Sequence, residues 1–408
     1  MVSTPPERSD CTQSAPGVAR HAVVFCAALG GFVDLYCTQA IYPALDARFA
    51  LSVAGAGALG TITTLVLAVF APFAGWVSGR AGAKRAMVVG LAGLTLCTLA
   101  MAFVEQADHL MAVRVLQGAF IPVVLASVLG SNQAHASGAG ALALAGTYVF
   151  GTVIGGVLGR LLPAALLPVL GWRDTFVVFA AVHAALFMIV AGLYAAPAGD
   201  AARAGRGGWH ELRSMPRRRV SLLGLAGFSL LFGQTATFTY IAIRLASPSF
   251  GWTSLELGAI YLVFLPSLLF VRLSRRLVER AGVLAALKGA AAVGWCGLLM
   301  TLADPGAVVL IVAGLVVFAS GVFVCQSLLA HLVAIAAKED GSPVAGIYLG
   351  CYYLGAAAGA IAPALIWTPL GWPGCVGLVA LVQVSAALCA RALARPAASR
   401  LAAQCAGG

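Results

Sequence analysis

An acid inside an apolar stretch is the first residue that asks for a chemical explanation. Asp34 lies in Val23-Val-Phe-Cys-Ala-Ala-Leu-Gly-Gly-Phe-Val-Asp34-Leu-Tyr36. On a helical span read as 22–43 it sits about 12 residues in, or roughly 18 Å from the start at 1.5 Å per residue. A charge at that depth is costly unless it is paired, hydrated or protonated. Burial disfavours a carboxylate and a neighbouring cation favours it. A carboxyl held between those influences can load and release a proton as a cavity opens and closes. The competing reading is a tilted helix that leaves Asp34 among the headgroups. Arg114, about one turn inside a span read as 110–130, differs in depth from Asp34 by roughly 8 Å. A long side chain can close that gap if the two helices adjoin; otherwise Arg114 is a cation reaching for the membrane interface. Arg160, near the end of the span 139–163, reads as an interfacial cation of that kind.

Polar and aromatic residues at mid-span depth form a second set: Gln39, Gln117, Tyr148, Gln234, Tyr348, Tyr352 and Tyr353. Rings with a polar tip suit a cavity for amphipathic solutes, although buried Tyr and Gln also bridge helices. A third set is glycine at four-residue spacing, Gly151, Gly155 and Gly159, with Gly355 and Gly359. Small residues at that spacing let helix backbones approach, and the same surface could slide between moving parts. His183 and His331 read as packing or hydrogen-bonding residues. No HExxH, no phosphate-binding loop and no Cys/His metal spacing is present; the reading is therefore not an enzyme, with no metal and no cofactor.

The elements that must carry these residues follow from composition. Of the 408 residues, 61% are hydrophobic and only 10% charged, against about 25% charged in soluble domains. A soluble surface cannot hide so much apolar material, so soluble enzymes and nucleic-acid-binding proteins are excluded, despite a net charge of +11. Apolar runs follow each other at 22–43, 53–75, 86–104, 110–130, 139–163, 174–195, 220–243, 254–272, 284–303, 306–330, 343–366 and 373–395, each near the roughly 20 residues a membrane helix needs. The fold class expected is all-α, with twelve transmembrane helices. The organisation is a tail (1–21), a six-helix bundle (22–195), a basic linker (196–219), a second six-helix bundle (220–395) and a tail (396–408). With both termini in the cytoplasm, all of the 25 Lys and Arg lie on the cytoplasmic side except Arg48, Arg114, Arg160, Arg173 and Arg244, as the positive-inside rule requires. Cationic loops held by the bilayer thus account for the net charge without nucleic acid.

The two bundles repeat at an offset of about 200 residues. Ala145-Gly146-x-Tyr148 recurs as Ala345-Gly346-x-Tyr348, Gly171-Trp172 as Gly371-Trp372, and Arg80-Ala81-Gly82 as Arg280-Ala281-Gly282. Gly155, Gly159 and Pro163 recur as Gly355, Gly359 and Pro363. Repeats of the same direction build some secondary transporters, with the substrate site between the halves. Tyr148 and Tyr348, related by the repeat, could face one cavity from both sides.

Several segments resemble the major facilitator superfamily. Gly75-Trp-Val-Ser-Gly-Arg80-Ala-Gly82-Ala-Lys84-Arg85 is similar to its loop signature between spans two and three. Arg114-Val-Leu-Gln117-Gly118 is similar to its span-four motif. Gly171-Trp172-Arg173, Tyr348 to Gly355 and Leu35 to Pro43 resemble the arabinose-efflux-like and drug:proton antiporter branch. The resemblance implies that Gly75, Arg80, Gly82, Lys84 and Arg85 form a gating loop. It also implies that helices one and four adjoin, placing Arg114 near the proton site of Asp34. Gly79 stands where the signature has Asp, so the latch that this acid joins in the family is expected to differ. The implied function is secondary transport of a small solute across the inner membrane, by proton-coupled efflux from a protein acting as a monomer. Uptake by proton symport stays open at this level, as does a non-transporting membrane receptor or enzyme.

Overall fold

The computed structural model describes residues 16–38, 41, 45, 48–49, 53–135, 139–194, 217–252, 254–340 and 343–406. Gln39 and most of the basic linker, including the interval 196–216, lie outside them. The described chain is helical, and the helices are numbered here α1–α12. They are α1 Pro16–Tyr36, α2 Val53–Ala81, α3 Ala83–Met101 and α4 Ala107–His135. The continuous stretch Ala139–Leu193 turns at Gly171 (φ 73°) into α5 (139–170) and α6 (172–193). The second half has α7 Arg217–Ala246, a broken α8 (Ser254–Ala259, a 3-10 turn Ile260–Phe264, then Ser267–Ala281), α9 Val283–Met300 and α10 Val308–Asp340. Helix α11 runs from Pro343–Ile361 on to residue 370, and α12 follows the turn at Gly371 (φ 55°).

Eleven helical stretches among the described residues are long and apolar enough to cross a membrane. The run expected at 254–272 is the exception. Its helix is interrupted by the 3-10 turn, and its last segment carries Arg272, Arg275, Arg276 and Arg280. With twelve crossings, α1 begins and α12 ends on one face, called here the terminus face; the opposite one is the distal face. Large apolar side chains such as Val169, Leu365 and Val309 are at least 80% exposed, which only a lipid environment tolerates at this frequency.

The expected repeat is present in three dimensions. Among the described residues, four of the five positive-φ glycines fall into pairs 200 residues apart: Gly82 with Gly282, and Gly171 with Gly371. At the first pair the chain reverses on a single residue, which L side chains resist there. After the second pair a tryptophan bolts the distal end. Trp172 Nε1 donates to Met101 O at 2.7 Å and Trp372 Nε1 donates to Thr301 O at 3.0 Å. Arginine joins each bolt: Arg48 lies over the Trp172 ring at 5.4 Å, and Arg244 donates to Thr301 O and Ala303 O.

The glycine ladders hold each half together. A Cβ on Gly155 would lie 2.6 Å from Leu29 O, and one on Gly159 2.6 Å from Val33 O. Gly151 sits over Phe25 in the same way. In the second half, Gly355 and Gly359 press on the backbone of Phe228 and Phe232. These glycines weld α5 to α1 and α11 to α7, so they are internal to each bundle and not a surface sliding between the bundles. The close approach between halves uses another glycine: Gly346 on α11 lies against Ala71 and Gly75 of α2.

Candidate coupling site and the seam between halves

Helix α1 ends at Tyr36, seven residues earlier than the expected span, so Asp34 occupies its last turn. It is nevertheless wholly buried, and the chain that follows stays buried at Cys37, Ile41 and Leu45. Asp34 is thus enclosed by protein, covered in part by the chain that follows its helix. Gly30, one turn earlier, leaves room for α3 and α6: a Cβ there would lie 3.1 Å from Leu91 and 4.0 Å from His183.

Arg114 is 1% exposed and grips the end of α1. Its Nη1 donates to Asp34 O at 2.8 Å and its Nη2 to Leu35 O at 3.0 Å. The last carbonyls of a helix have no partners within it, and a cation there also meets the negative end of the dipole. Nη1 further donates to Gln117 Oε1 at 2.8 Å and lies 3.5 Å from Cys37 Sγ. Arg114 thus lies beside Asp34, as expected from adjoining helices, and its donors cap the backbone of α1 while its charge stays close to the acid.

The carboxylate has other partners. Its Oδ1 accepts from Thr98 Oγ1 at 2.7 Å and from Gln117 Nε2 at 3.2 Å. Gln117, expected among cavity residues, is instead a fully buried member of this cluster, accepting from Arg114 and donating to Asp34. Oδ2 accepts no hydrogen bond; His183 Nε2 lies 3.2 Å away. His183 is fully buried, with Nε2 3.1 Å from Gly30 O and Nδ1 3.1 Å from Phe179 O. Sequence reasoning gave it a packing or hydrogen-bonding role and did not place it beside Asp34. The missed signal was its offset: Gln383 is its repeat mate, and Gln383 lies against Gly233. The ladders pair Leu29 with Phe228 and Val33 with Phe232, so Gly233 is the mate of Asp34.

The tyrosines gather between the bundles. Tyr148, Tyr348, Tyr352 and Tyr353 are all at least 96% buried. Tyr348 stacks on Tyr352 at 5.8 Å and Tyr352 meets Tyr353 edge-on at 5.1 Å. Tyr148 and Tyr36, from the first half, fall within electrostatic reach of Tyr352 and Tyr353. Gln234 is half-buried on α7. Ser327 and Gln326 on α10, which sequence reasoning overlooked, are buried as well, and Ser327 Oγ lies 3.9 Å from the Cβ position of Gly146.

Arg160, expected as an interfacial cation, is only 8% exposed and is enclosed by protein. Its guanidinium is held between the ring of Tyr36 (3.7 Å) and that of Tyr261 (4.2 Å), one from each half, and Nη1 donates to Gly156 O at 2.7 Å. Such cation–π contacts strengthen when desolvated. The seam is therefore fastened distally by Arg160 and toward the terminus face by Gly346. On the terminus side, a cleft of about 510 Å³ opens between α1, α5 and α8, with His21, Phe25, Phe150 and Arg272 on its walls. Of the expected gating loop, Gly75 lies against Gly346, Gly82 makes the reversal, and Arg80 and Arg85 are exposed, with Lys84 half-buried between them. Arg80 lies over the Trp76 ring at 5.6 Å.

Comparison with known proteins agrees with this architecture. The chain is 26% identical to an uncharacterized MFS-type transporter, YybF, of Bacillus subtilis (strain 168), over 91% of this chain and 92% of the relative. It is 28% identical to the inner membrane transport protein YnfM of Escherichia coli (strain K12), over 90% and 88%. Two solved structures share the fold. The human organic anion transporter MFSD10 has a TM-score of 0.76 at 16% identity, covering 92% of this chain and 100% of that one. The proton:xylose symporter XylE has 0.74 at 13%, covering 92% and 95%. Residues 24–360 match the Major Facilitator Superfamily, and the chain belongs to that family of membrane transporters.

Proposed function

We propose that the protein exports a small amphipathic solute in exchange for protons, with Asp34 as the residue that carries the proton. The observation that carries this reading is a carboxylate fully enclosed by protein and set beside a cation. Enclosed acids in membrane helices are rare and costly, and they mark proton and ion pathways. Arg114 holds the end of α1 in place, and Gln117 and Thr98 orient Oδ1. The seam tyrosines 148, 348, 352 and 353, with Gln234 and Gln39, form the solute site. The gating loop and the distal Arg160 contact open alternately as the halves rock. Such motion is driven only if proton and solute bind the two states unequally. The same proposal includes termini on the cytoplasmic side of the inner membrane, a bundle division at 22–195 and 220–395 about the linker, and action as a monomer.

The test uses everted vesicles holding a respiration-generated pH gradient and a pH-sensitive dye. A panel of drugs, sugars and amino acids is added to wild type and Asp34→Asn. At least one compound is expected to dissipate the gradient in wild type and not in the variant. A variant that couples as well as wild type removes Asp34 from the mechanism. Gradient-driven accumulation in right-side-out vesicles makes the protein an uptake symporter.

A further inference from the structure

Asp34 is not alone in its enclosure. Thr98 and Cys97 face it from α3, Arg114 and Gln117 from α4, Cys37 from its own chain just beyond α1, and His183 from α6. The hydrogen bonds are unevenly shared. Oδ1 accepts two, whereas Oδ2 accepts none and has only His183 at 3.2 Å. The imidazole in turn has an acceptor at each nitrogen: Phe179 O at Nδ1, and Gly30 O with Asp34 Oδ2 at Nε2. A neutral imidazole bears a proton on one nitrogen only, so one lone pair would then point at a carbonyl oxygen. An imidazolium donates at both nitrogens, to Phe179 O and to Gly30 O, and places its positive charge 3.2 Å from Oδ2.

We infer that His183 is the second member of the proton-carrying unit: it holds a positive charge against Asp34, and the transported proton is taken up on Oδ2. This rests on the reading of Asp34 as proton carrier. On loading, an O–H bond forms at Oδ2 and the Asp34–His183 ion pair is discharged, while Oδ1 keeps its two donors. On release, that bond breaks to water and the pair is restored. The change weakens a link between α1 and α6 that the hydrogen bonds of Thr98 and Gln117 do not replace. The second half supports the assignment by contrast: Gly233 and Gln383 occupy the equivalent places, so an acid and a histidine stand together in one half and neither stands in the other. Gln383 is buried, so the equivalent helix position of the second half holds a glutamine.

The experiment needs no transported solute, because the probe is the proton. Infrared difference spectra of the purified protein in nanodiscs are recorded between about pH 5 and pH 9, a range that brackets the ordinary histidine pKa, following the protonated-carboxyl stretch. Wild type is compared with Asp34→Asn, His183→Gln and His183→Asn. The band is expected to vanish in Asp34→Asn. In both histidine variants its midpoint is expected to move to higher pH by about one unit or more, because a neighbouring positive charge favouring the carboxylate is gone. A merely structural histidine would leave the midpoint in place. Nitrogen-15 spectra of histidine-labelled protein, with His183 assigned by its variant, should show both ring nitrogens protonated at neutral pH. If the Asp34 band is present but unmoved in both histidine variants, or His183 is neutral throughout, the inference is overturned while the carrier reading stands. If no Asp34-dependent band appears at all, the carrier reading itself falls, and this inference with it.

Discussion

Arg114 shows how far a residue's job can differ from its obvious one. Its charge is next to an acid, yet its forked donors go to two backbone carbonyls and a glutamine oxygen. That geometry needs a planar guanidinium, and lysine cannot reproduce it. Arg114→Lys should therefore keep the local charge but leave buried acceptors bare, at about 1–3 kcal/mol each. Thermal unfolding in detergent should fall by several degrees, and coupling should weaken with it. Unfolding at the wild-type temperature would mean that the cap is dispensable. The acid itself is legible from its type and its apolar surroundings. Its true companions are not: Thr98, Gln117 and His183 come from three helices, and no spacing along the chain announces that they meet.

At the level of elements, packing is set by where backbones touch. Gly155 and Gly355 each face a carbonyl of the neighbouring helix, while Gly192 on α6 faces open space. Replacing either of the first two by Val should destabilise its half by about 1–3 kcal/mol through overpacking. Gly192→Ala should be neutral or slightly stabilising, since alanine favours helix. Equal effects at all three sites would contradict the ladder arrangement. Helix number and most helix bounds are readable from apolar runs and glycine breaks. The first helix is misjudged because hydrophobicity continues through Cys37, Ile41 and Leu45 after the helix has stopped. The eighth is misjudged in the opposite sense, because its apolar run hides a 3-10 interruption.

Across the whole molecule, two of the contacts that join the bundles lie at different depths. Near the terminus face Gly346 meets Ala71 and Gly75; distally Arg160 bridges Tyr36 and Tyr261. An alternating cycle must separate the halves at either contact while the other stays closed. A side chain at position 346 should wedge the first contact open without unfolding either bundle. Gly346→Leu should lower turnover in the vesicle assay at least about tenfold, with an unfolding temperature close to wild type, since only the balance between two folded states is shifted. Wild-type turnover would show that this contact need not close. Tyr261→Ala is the distal counterpart, releasing Arg160 from one of its two rings.

The register of 200 residues relates the two halves element by element, and they share some features and not others. The reversals at Gly82 and Gly282, the bolts at Trp172 and Trp372 and the ladders at Gly155 and Gly355 survive in both. Where the first copy has an acid facing a histidine, the second has a glycine beside a glutamine. The shared parts are those that hold each half together. The acid–histidine pair belongs to one half alone, so substitutions along α7 and α12 leave both of its members in place.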